Sequence, residues 1–454
     1  MTPWIQKGSL ELSKQKVRIK TNRGNRLFFH FFPLAVFCVL VVIGSSSRAS
    51  AAGSSPLIQQ GDLNYLGVFR VPQGTFGDHS TFSYGGTALA YNPVRNSLYA
   101  VGHAWYQESA EISIPQIINS NNINNLATAT LLQPFTDATE GKLNSINPSD
   151  PNSKDVGGHL VYGGQLYVTG WSYYDCGGTQ TKSHFIRPLD LSVKGQVAGP
   201  YPVGNQYPGF VSSYMTPIPA EWQSALGGPA LTGGCCHSII SLQSLGPAAS
   251  VFNPSDVGVK NPATPVVGYP IDHPTLGTWG GNGTANPIYN MSTGINGIVF
   301  PEGTRTLLFF SKTGLGKPCY GAGTSDSSLD GQPVPGESGV IYCYDPNDGS
   351  KGCHAYPYSA YVWAYDVDDL IAVKNGQKNQ WEIRPYTTWT MTFPVGGGYS
   401  ISGAAYDPVT HRIYLAQYCS DGNCYPLIHV FSINSAPPTP DTQPPSSPKN
   451  LRVR

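Results

Sequence analysis

Several side chains able to transfer protons lie at the ends of short apolar runs typical of β-strands. They are His103, His159, Tyr173, Tyr174 and Lys312. A tyrosine or histidine can move a proton at the carbon beside a uronic carboxyl, and a lysine can neutralise that carboxyl. These five residues are the catalytic candidates, and β-elimination by a polysaccharide lyase is the preferred reaction if the protein is an enzyme.

A second set suits the binding of sugars, because aromatic rings stack on pyranose faces while polar groups bind hydroxyls. The substrate-binding candidates are Trp105, Trp171, Asp155, Asn296 and Tyr418. A glycosidase needs two carboxyl groups beside the scissile bond, and only Asp78 and Asp155 meet that need here. The favoured partner is therefore a polysaccharide or other glycan. A non-catalytic protein-binding or adhesion scaffold is the alternative, since aromatic loops serve both roles.

These residues lie within a repeated sequence. The stretch "GGTALAYNPVRNSLYAVGH" (85–103) reads as two strands around a turn, and it recurs at 156–171, 295–314 and 401–418, with a weaker copy at 227–244. The copies are aligned on one glycine each: Gly86, Gly158, Gly228, Gly297 and Gly403. The repeat is close to 70 residues long, with one insertion before the last copy.

Each copy is followed by a third apolar run, and four of the five by a fourth. The last copy lacks its fourth strand, while "LNYLGVFRVP" (63–72) precedes the first copy and belongs to none. The pattern resembles secreted β-propeller repeat proteins. It predicts an all-β domain at 57–436, a five-bladed β-propeller closed by the N-terminal strand, with six blades as the alternative.

In such a fold, the loops leading into each first strand and out of each second strand meet on one face. We therefore expect the candidate residues to lie around the axis on that face, where a rigid scaffold holds loops for binding. The histidine that ends the opening stretch, His103, is predicted at its rim, near His159 of the next blade. The long insertion at 316–358 is expected to overhang the same face.

The first 51 residues indicate a signal peptide. Basic residues precede the apolar run "LFFHFFPLAVFCVLVVIG", and small residues follow it near Ala51. An uncleaved membrane anchor is the alternative. Eight of the 27 Lys and Arg and one of the 27 Asp and Glu precede residue 52, which leaves 19 against 26. The mature chain is expected to be secreted, to bind no nucleic acid because it is acidic, and to have no membrane segment after cleavage.

Nine cysteines are present, and Cys38 lies within the predicted signal peptide. The remaining even number predicts disulfides in an exported protein. Cys419 and Cys424, separated by a turn, are the predicted pair. The connectivity of the others stays open: Cys176, Cys235, Cys236, Cys319, Cys343 and Cys353.

The sequence predicts neither a metal site nor a cofactor, although "DPNDGSKG" (345–352) has carboxylates at a calcium-like spacing. Adjacent cysteines in "CCH" (235–237) are poorly arranged for tetrahedral zinc. The tail at 437–454 is a Pro-rich linker whose end, "PPSSPKNLRV", resembles the start of a fibronectin type III domain. That resemblance implies further domains in a longer, modular protein.

Overall fold

The computed structural model describes residues 55–151, 153–238, 241–270 and 289–433. These residues form five four-stranded antiparallel sheets, one three-stranded sheet and two α-helices. The predicted signal peptide (1–51) and the predicted linker (437–454) lie outside the described residues. Across the described ranges, no helix has the length and apolar character needed to cross a bilayer.

The strands are numbered in chain order. The first nine are β1 (Leu63–Arg70), β2 (Thr87–Asn92), β3 (Ser97–Val101), β4 (Ser109–Ser113), β5 (Leu131–Thr136), β6 (Lys154–Tyr162), β7 (Gln165–Ser172), β8 (His184–Pro188) and β9 (Ala198–Tyr201). The next six are β10 (Tyr214–Pro217), β11 (Ala230–Gly233), β12 (Ala249–Phe252), β13 (Ala263–Val267), β14 (Gly294–Val299) and β15 (Thr306–Gly314). The last eight are β16 (Cys319–Thr324), β17 (Tyr342–Tyr344), β18 (Lys351–His354), β19 (Tyr358–Asp366), β20 (Thr387–Met391), β21 (Ile401–Asp407), β22 (Arg412–Asp421) and β23 (Tyr425–Ile433).

Four sheets contain consecutive repeats of the chain, with the strand orders β2-β3-β4-β5, β6-β7-β8-β9, β10-β11-β12-β13 and β14-β15-β19-β20. The fifth sheet has the order β1-β23-β22-β21, so the N-terminal strand completes the C-terminal sheet. Its register runs from Leu63 opposite Ile433 to Arg70 opposite Leu427. This pairing confirms the predicted closure by 63–72.

An apolar cluster lies between each pair of neighbouring sheets. Taken in chain order from the cluster between the first and second sheets, four clusters contain Val101 with Val168, Tyr167 with Phe252, Leu231 with Phe309, and Phe310 with Leu415. The cluster between the fifth and the first sheet contains Val430 with Leu98. The last cluster joins the fifth sheet to the first, so the sheets form a closed ring. Burial of these faces against one another is the main stabilising contribution to such a fold.

Three of the innermost strands, β6, β14 and β21, contain glycine where neighbouring sheets approach closely at the axis. A Cβ on Gly297 would lie 2.5 Å from Cβ of Ala404, and one on Gly403 would lie 2.9 Å from Cβ of Leu89. Residues of all five innermost strands line a small axial cavity of about 210 Å³. The fold is therefore a β-propeller. The described residues contain five blade-like sheets, and the blade number of the whole chain stays a prediction.

The third repeat differs from its predicted alignment. Its first strand is β10, and the segment aligned with first strands, around Gly228, instead precedes the second strand β11. Helix α1 (Ala220–Leu226) separates the two strands and ends at Gly227, which has a φ of 85°. The Gly-Gly pair thus ends a helix here, whereas the pair in the first copy directly precedes the inner strand β2 and the pair in the second lies within the inner strand β6.

The insertion between β15 and β19 forms its own sheet, with the order β17-β16-β18. Cys319 and Cys343 lie within disulfide distance in this sheet. A second helix, α2 (Val367–Lys374), follows β19, and the Asp366 side chain caps its N-terminus by accepting from Asp368 N.

Candidate functional site

A cavity of about 390 Å³ opens where the chain leaves second strands and enters a first strand. Four residues predicted from the sequence line it: Tyr173, Tyr174, Asn296 and Lys312. They come from the loop after β7, from β14 and from the end of β15. The remaining described lining residues are Cys236, His237, Ser238, Gln243, Tyr289, Met291, Ser292, Thr293, Gly294, Tyr320, Lys351, Gly352 and Cys353. Its volume falls in the usual range for small-molecule sites.

The charged side chains of this cavity are cationic. Lys312 and Lys351 line it, and its described lining residues include neither aspartate nor glutamate. Lys351 lies 3.8 Å from Glu337 at an exposed position on the insertion. An anionic ligand would meet two lysines and no carboxylate in the described lining, with Asp348 and Asp345 near Lys312 outside it.

The ammonium group of Lys312 is held by two aromatic rings. Its Nζ lies 5.4 Å from the ring centre of Tyr358 and 5.7 Å from that of Tyr399, and the two rings stack 5.0 Å apart. This is a cation–π arrangement, which favours the charged form of the lysine. Burial lowers the pKa of Lys312, while the nearby carboxylates Asp348 and Asp345 raise it.

A buried network on the insertion orients Tyr358. The Tyr358 hydroxyl donates to Oδ2 of Asp345 at 2.6 Å, and Nδ1 of His354 lies 2.9 Å from the same oxygen. The backbone N of Asn347 donates to Oδ1 of Asp345. With both oxygens engaged, the pKa of Asp345 is held below its ordinary value despite burial. The insertion thus fixes one of the rings beside Lys312.

The wall of the cavity next to Tyr173 is built from a stacked pair. The Trp171 and His237 rings lie 4.1 Å apart at an interplanar angle of 8°. Nε2 of His237 is hydrogen-bonded to the Ser213 hydroxyl. Burial lowers the pKa of His237 to about 3, so its imidazole is neutral at neutral pH. His237 is not among the candidates predicted from the sequence, because the repeat pattern aligns the third repeat one strand late.

Asp155 lies beside this wall, opposite Trp171 in the β6–β7 pair. Its Oδ1 accepts from Nε2 of Gln107 at 2.8 Å. Burial raises the pKa of Asp155 to about 6. Asp155 is therefore a weaker acid than an exposed aspartate, but it does not itself line the cavity, whose described lining contains no carboxyl group.

His103 and Trp105 belong to a separate exposed cluster. His103 lies 5.5 Å from Tyr84, 5.3 Å from Trp105 and 5.2 Å from Tyr106 between ring centres. Nδ1 of His103 accepts from the Trp105 backbone N, and burial lowers the pKa of the ring. Tyr418, from the last sheet, has a pKa raised by burial and by the neighbouring Tyr84.

His159 does not reach the rim where the sequence placed it. The ring is 1% exposed, with Nε2 at 2.9 Å from the Ser109 hydroxyl and Nδ1 at 2.8 Å from the Ala88 carbonyl oxygen. Burial lowers its pKa to about 4. A register shift in β6 between Val156 and His159 changes the alternation of side chains. His159 therefore links two sheets inside the propeller and contacts no surface site.

No protein family and no curated protein matches the chain by sequence. Similar solved structures include the PQQ-bound aldose sugar dehydrogenase of Streptomyces coelicolor, at 10% identity and a TM-score of 0.34, covering 80% of this chain and 97% of that chain. A GH130 structure, of glycoside hydrolases that target beta-1,2 mannosidic linkages in Candida mannan, has 10% identity and a TM-score of 0.38, with coverages of 85% and 98%. The gluconolactonase XC5397 of Xanthomonas campestris has 11% identity and a TM-score of 0.30, with coverages of 84% and 99%. Similarity at this level assigns no function.

Within the part of the chain that the structure describes, three cysteine pairs lie within disulfide distance: Cys419–Cys424, Cys319–Cys343 and the adjacent Cys235–Cys236. Cys176 and Cys353 have free thiols, and burial raises the pKa of Cys353 to about 11. Among the described residues, no group of three or more His, Cys, Asp or Glu is placed to hold a metal ion. At the calcium-like segment, Asp345 accepts hydrogen bonds from protein donors on both oxygens.

A larger cavity of about 630 Å³ lies beside Gln180, Gln206, Tyr207 and Gln380. Its described lining residues carry amides and one phenol, with no lysine, arginine, histidine or carboxyl group. It also borders Pro270, the last described residue before 289. Of these two cavities, only the one that contains Lys312 has ionisable lysine and histidine side chains in its described lining.

Proposed function

We propose that the protein is an extracellular glycan-interacting propeller that binds an acidic sugar residue in the cavity around Lys312. The observation that carries this proposal is the composition of the described lining, which has two lysines, several tyrosines and no carboxyl group. Lys312 would pair with a uronic carboxylate, while the tyrosine rings and hydroxyls would contact the pyranose.

The same groups suit β-elimination, the reaction favoured by the sequence. In this reaction a base takes the proton from the carbon beside the carboxyl, a carbon–carbon double bond forms, the glycosidic carbon–oxygen bond breaks, and the leaving oxygen gains a proton. Burial and the adjacent Tyr174 raise the pKa of Tyr173, so its hydroxyl is protonated and can supply that proton. His237 also lines the cavity, but burial lowers the pKa of its imidazole to about 3. It is therefore a weak base, and we assign it no proton transfer.

Lys312 would support elimination as well as binding. Neutralising the carboxylate stabilises the negative charge that develops on the substrate when the adjacent carbon loses its proton. A glycosidase is less well supported, because the described lining contains no carboxyl group.

The test is to incubate the mature domain with acidic polysaccharides (polygalacturonate, alginate, glucuronan) and neutral ones (xylan, galactan, β-glucan). Retention, absorbance of unsaturated uronic products and new reducing ends are all measured. We expect selective retention of acidic chains, and absorbance that is lost in Tyr173→Phe if elimination occurs.

The other outcomes separate the alternatives. Retention without products leaves a binding protein, and reducing ends without absorbance indicate a hydrolase. If no acidic glycan is retained, the proposed function is wrong and the protein-binding scaffold is the remaining class.

A further inference from the structure

An exposed aromatic cluster lies outside the cavity, on the loops that precede β2 and follow β3. We call it the Trp105 platform, and it consists of His79, Tyr84, His103, Trp105 and Tyr106. Trp105 is 85% exposed, and Tyr84 and Tyr106 are 50% and 43% exposed. None of the five lines the cavity around Lys312. Grouped exposed rings of this kind mark a binding surface, because large aromatic side chains are otherwise buried.

Contacts among its own rings and a backbone hydrogen bond to a neighbouring loop hold the platform in place. The His79 and Tyr106 rings lie 4.2 Å apart, and the His103 ring contacts three others. The Tyr84 backbone N donates to the Cys424 carbonyl oxygen at 2.9 Å, which ties the platform to the loop containing the Cys419–Cys424 pair. The rings are therefore organised before a ligand arrives, which lowers the entropic cost of binding.

The platform is continuous with the cavity wall through Gln107. The Gln107 side chain donates to the Ala104 carbonyl oxygen and to Asp155, and it accepts from Val156 N. Asp155 faces Trp171 across the β6–β7 pair, and Trp171 stacks on His237 in the cavity wall. A chain of contacting residues therefore connects the loop that contains Trp105 with the cavity wall.

The two parts differ in chemistry. The cavity carries the lysines, whereas the platform presents ring faces, and the Glu108 carboxylate lies 3.6 Å from His79 at its edge. Aromatic faces recognise the apolar face of a pyranose irrespective of the charge on its carboxyl.

We propose that the Trp105 platform is a second subsite, which stacks a further pyranose of the same glycan chain whose acidic residue occupies the cavity. The inference rests on the proposed function and deepens it, since the ligand is then an oligomer or polymer rather than a single uronic acid.

The test measures affinities of the full mature domain for glucuronate, galacturonate and mannuronate, and for the hexamer of each. The wild type should bind its preferred hexamer at least about tenfold more tightly than the monomer. Trp105→Ala should remove most of that gain and leave monomer affinity unchanged, while Trp105→Phe retains part of it. The control is Val409→Ala, at a similarly exposed side chain on the turn between β21 and β22. Unchanged melting temperatures would establish that the variants are folded.

Two results would overturn the inference, and they have different meanings. If the monomer binds but the hexamer gains nothing, or if Trp105→Ala keeps the full gain, the second subsite is wrong while the acidic cavity stands. If neither monomers nor hexamers bind, the proposed function fails and the inference falls with it.

Discussion

The Tyr358 hydroxyl donates a 2.6 Å hydrogen bond to the Asp345 carboxylate. The ring of the same tyrosine lies 5.4 Å from the Lys312 ammonium. The insertion between β15 and β19 therefore fixes an aromatic ring beside the cationic group in the cavity. Burial lowers the pKa of Lys312, and the charges of Asp348 and Asp345 on the insertion partly offset that lowering.

Replacing this carboxylate tests the relationship. Asp345→Asn should weaken binding of uronic acids by about tenfold, because Tyr358 loses its charged acceptor. It should also lower the pKa of Lys312, since the Asp345 charge raises it. The loss of affinity at alkaline pH should then begin at a lower pH in the variant. Binding is measured by calorimetry from pH 6 to pH 10.

The matched control is Asp326→Asn, at another carboxylate of the insertion that caps a turn through Ser328. It should change neither the affinity nor its pH profile. Equal effects of the two substitutions would mean that Asp345 only stabilises the insertion.

The raised pKa of Asp155 predicts that the stability of the folded protein depends on pH. Its pKa is raised from 3.8 to about 6 by burial, so the folded state binds more protons than the unfolded chain between these values. The contribution of Asp155 to stability therefore falls as the pH rises from about 4 to about 6. Asp155→Asn lacks this penalty, so its melting temperature should rise relative to the wild type over that interval and keep a constant difference above it. If the two melting temperatures differ by the same amount at pH 4 and at pH 7.5, the raised pKa of Asp155 is contradicted.

The close approach of the inner strands predicts a packing cost at Gly297. In Gly297→Ala, the new methyl group would meet Cβ of Ala404 at 2.5 Å. The expected loss is about 1–3 kcal/mol in the free energy of unfolding, as for other overpacked positions. Denaturant unfolding measures it, with Gly61→Ala as control because no atom lies within 4 Å of a Cβ there. A loss of unfolding free energy no larger than that of the control would contradict the close approach of the inner strands at Gly297.

Cys419 and Cys424 should be bridged in exported protein. Peptide mapping without reduction should recover them in one linked fragment, and reduction should increase amide exchange around Tyr84, which bonds to the Cys424 carbonyl oxygen. Alkylation of both cysteines without prior reduction would refute the pairing.

Much of the fold was predictable because its repeat depends on backbone sterics. Glycine recurs in the inner strands β6, β14 and β21, so Gly297 and Gly403 indicated the ring before any contact was known. The unmatched strand at 63–72 likewise indicated its pairing with the last sheet.

The site was predictable only in part. Tyr173, Tyr174, Asn296 and Lys312 follow from strand ends, whereas His237 was missed because helix α1 separates β10 from β11 and disguises the third repeat. His159 was misplaced because a bulge that sequence does not reveal reverses the side-chain alternation. Lys351 and Cys353 reach the cavity through the pairing of β18 with β16 in the insertion, which the repeat pattern does not specify.

The most direct test compares each uronic acid with its neutral hexose. Glucuronate, galacturonate and mannuronate are measured by calorimetry against glucose, galactose and mannose, using the wild type, Lys312→Met and the control Lys260→Met, which changes an exposed lysine outside the cavity. We predict that at least one uronic acid binds about tenfold or more tightly than its hexose. Lys312→Met should abolish that preference, and Lys260→Met should retain it. Equal affinity for acid and hexose in the wild type, or a preference that survives Lys312→Met, would contradict the acidic-sugar site.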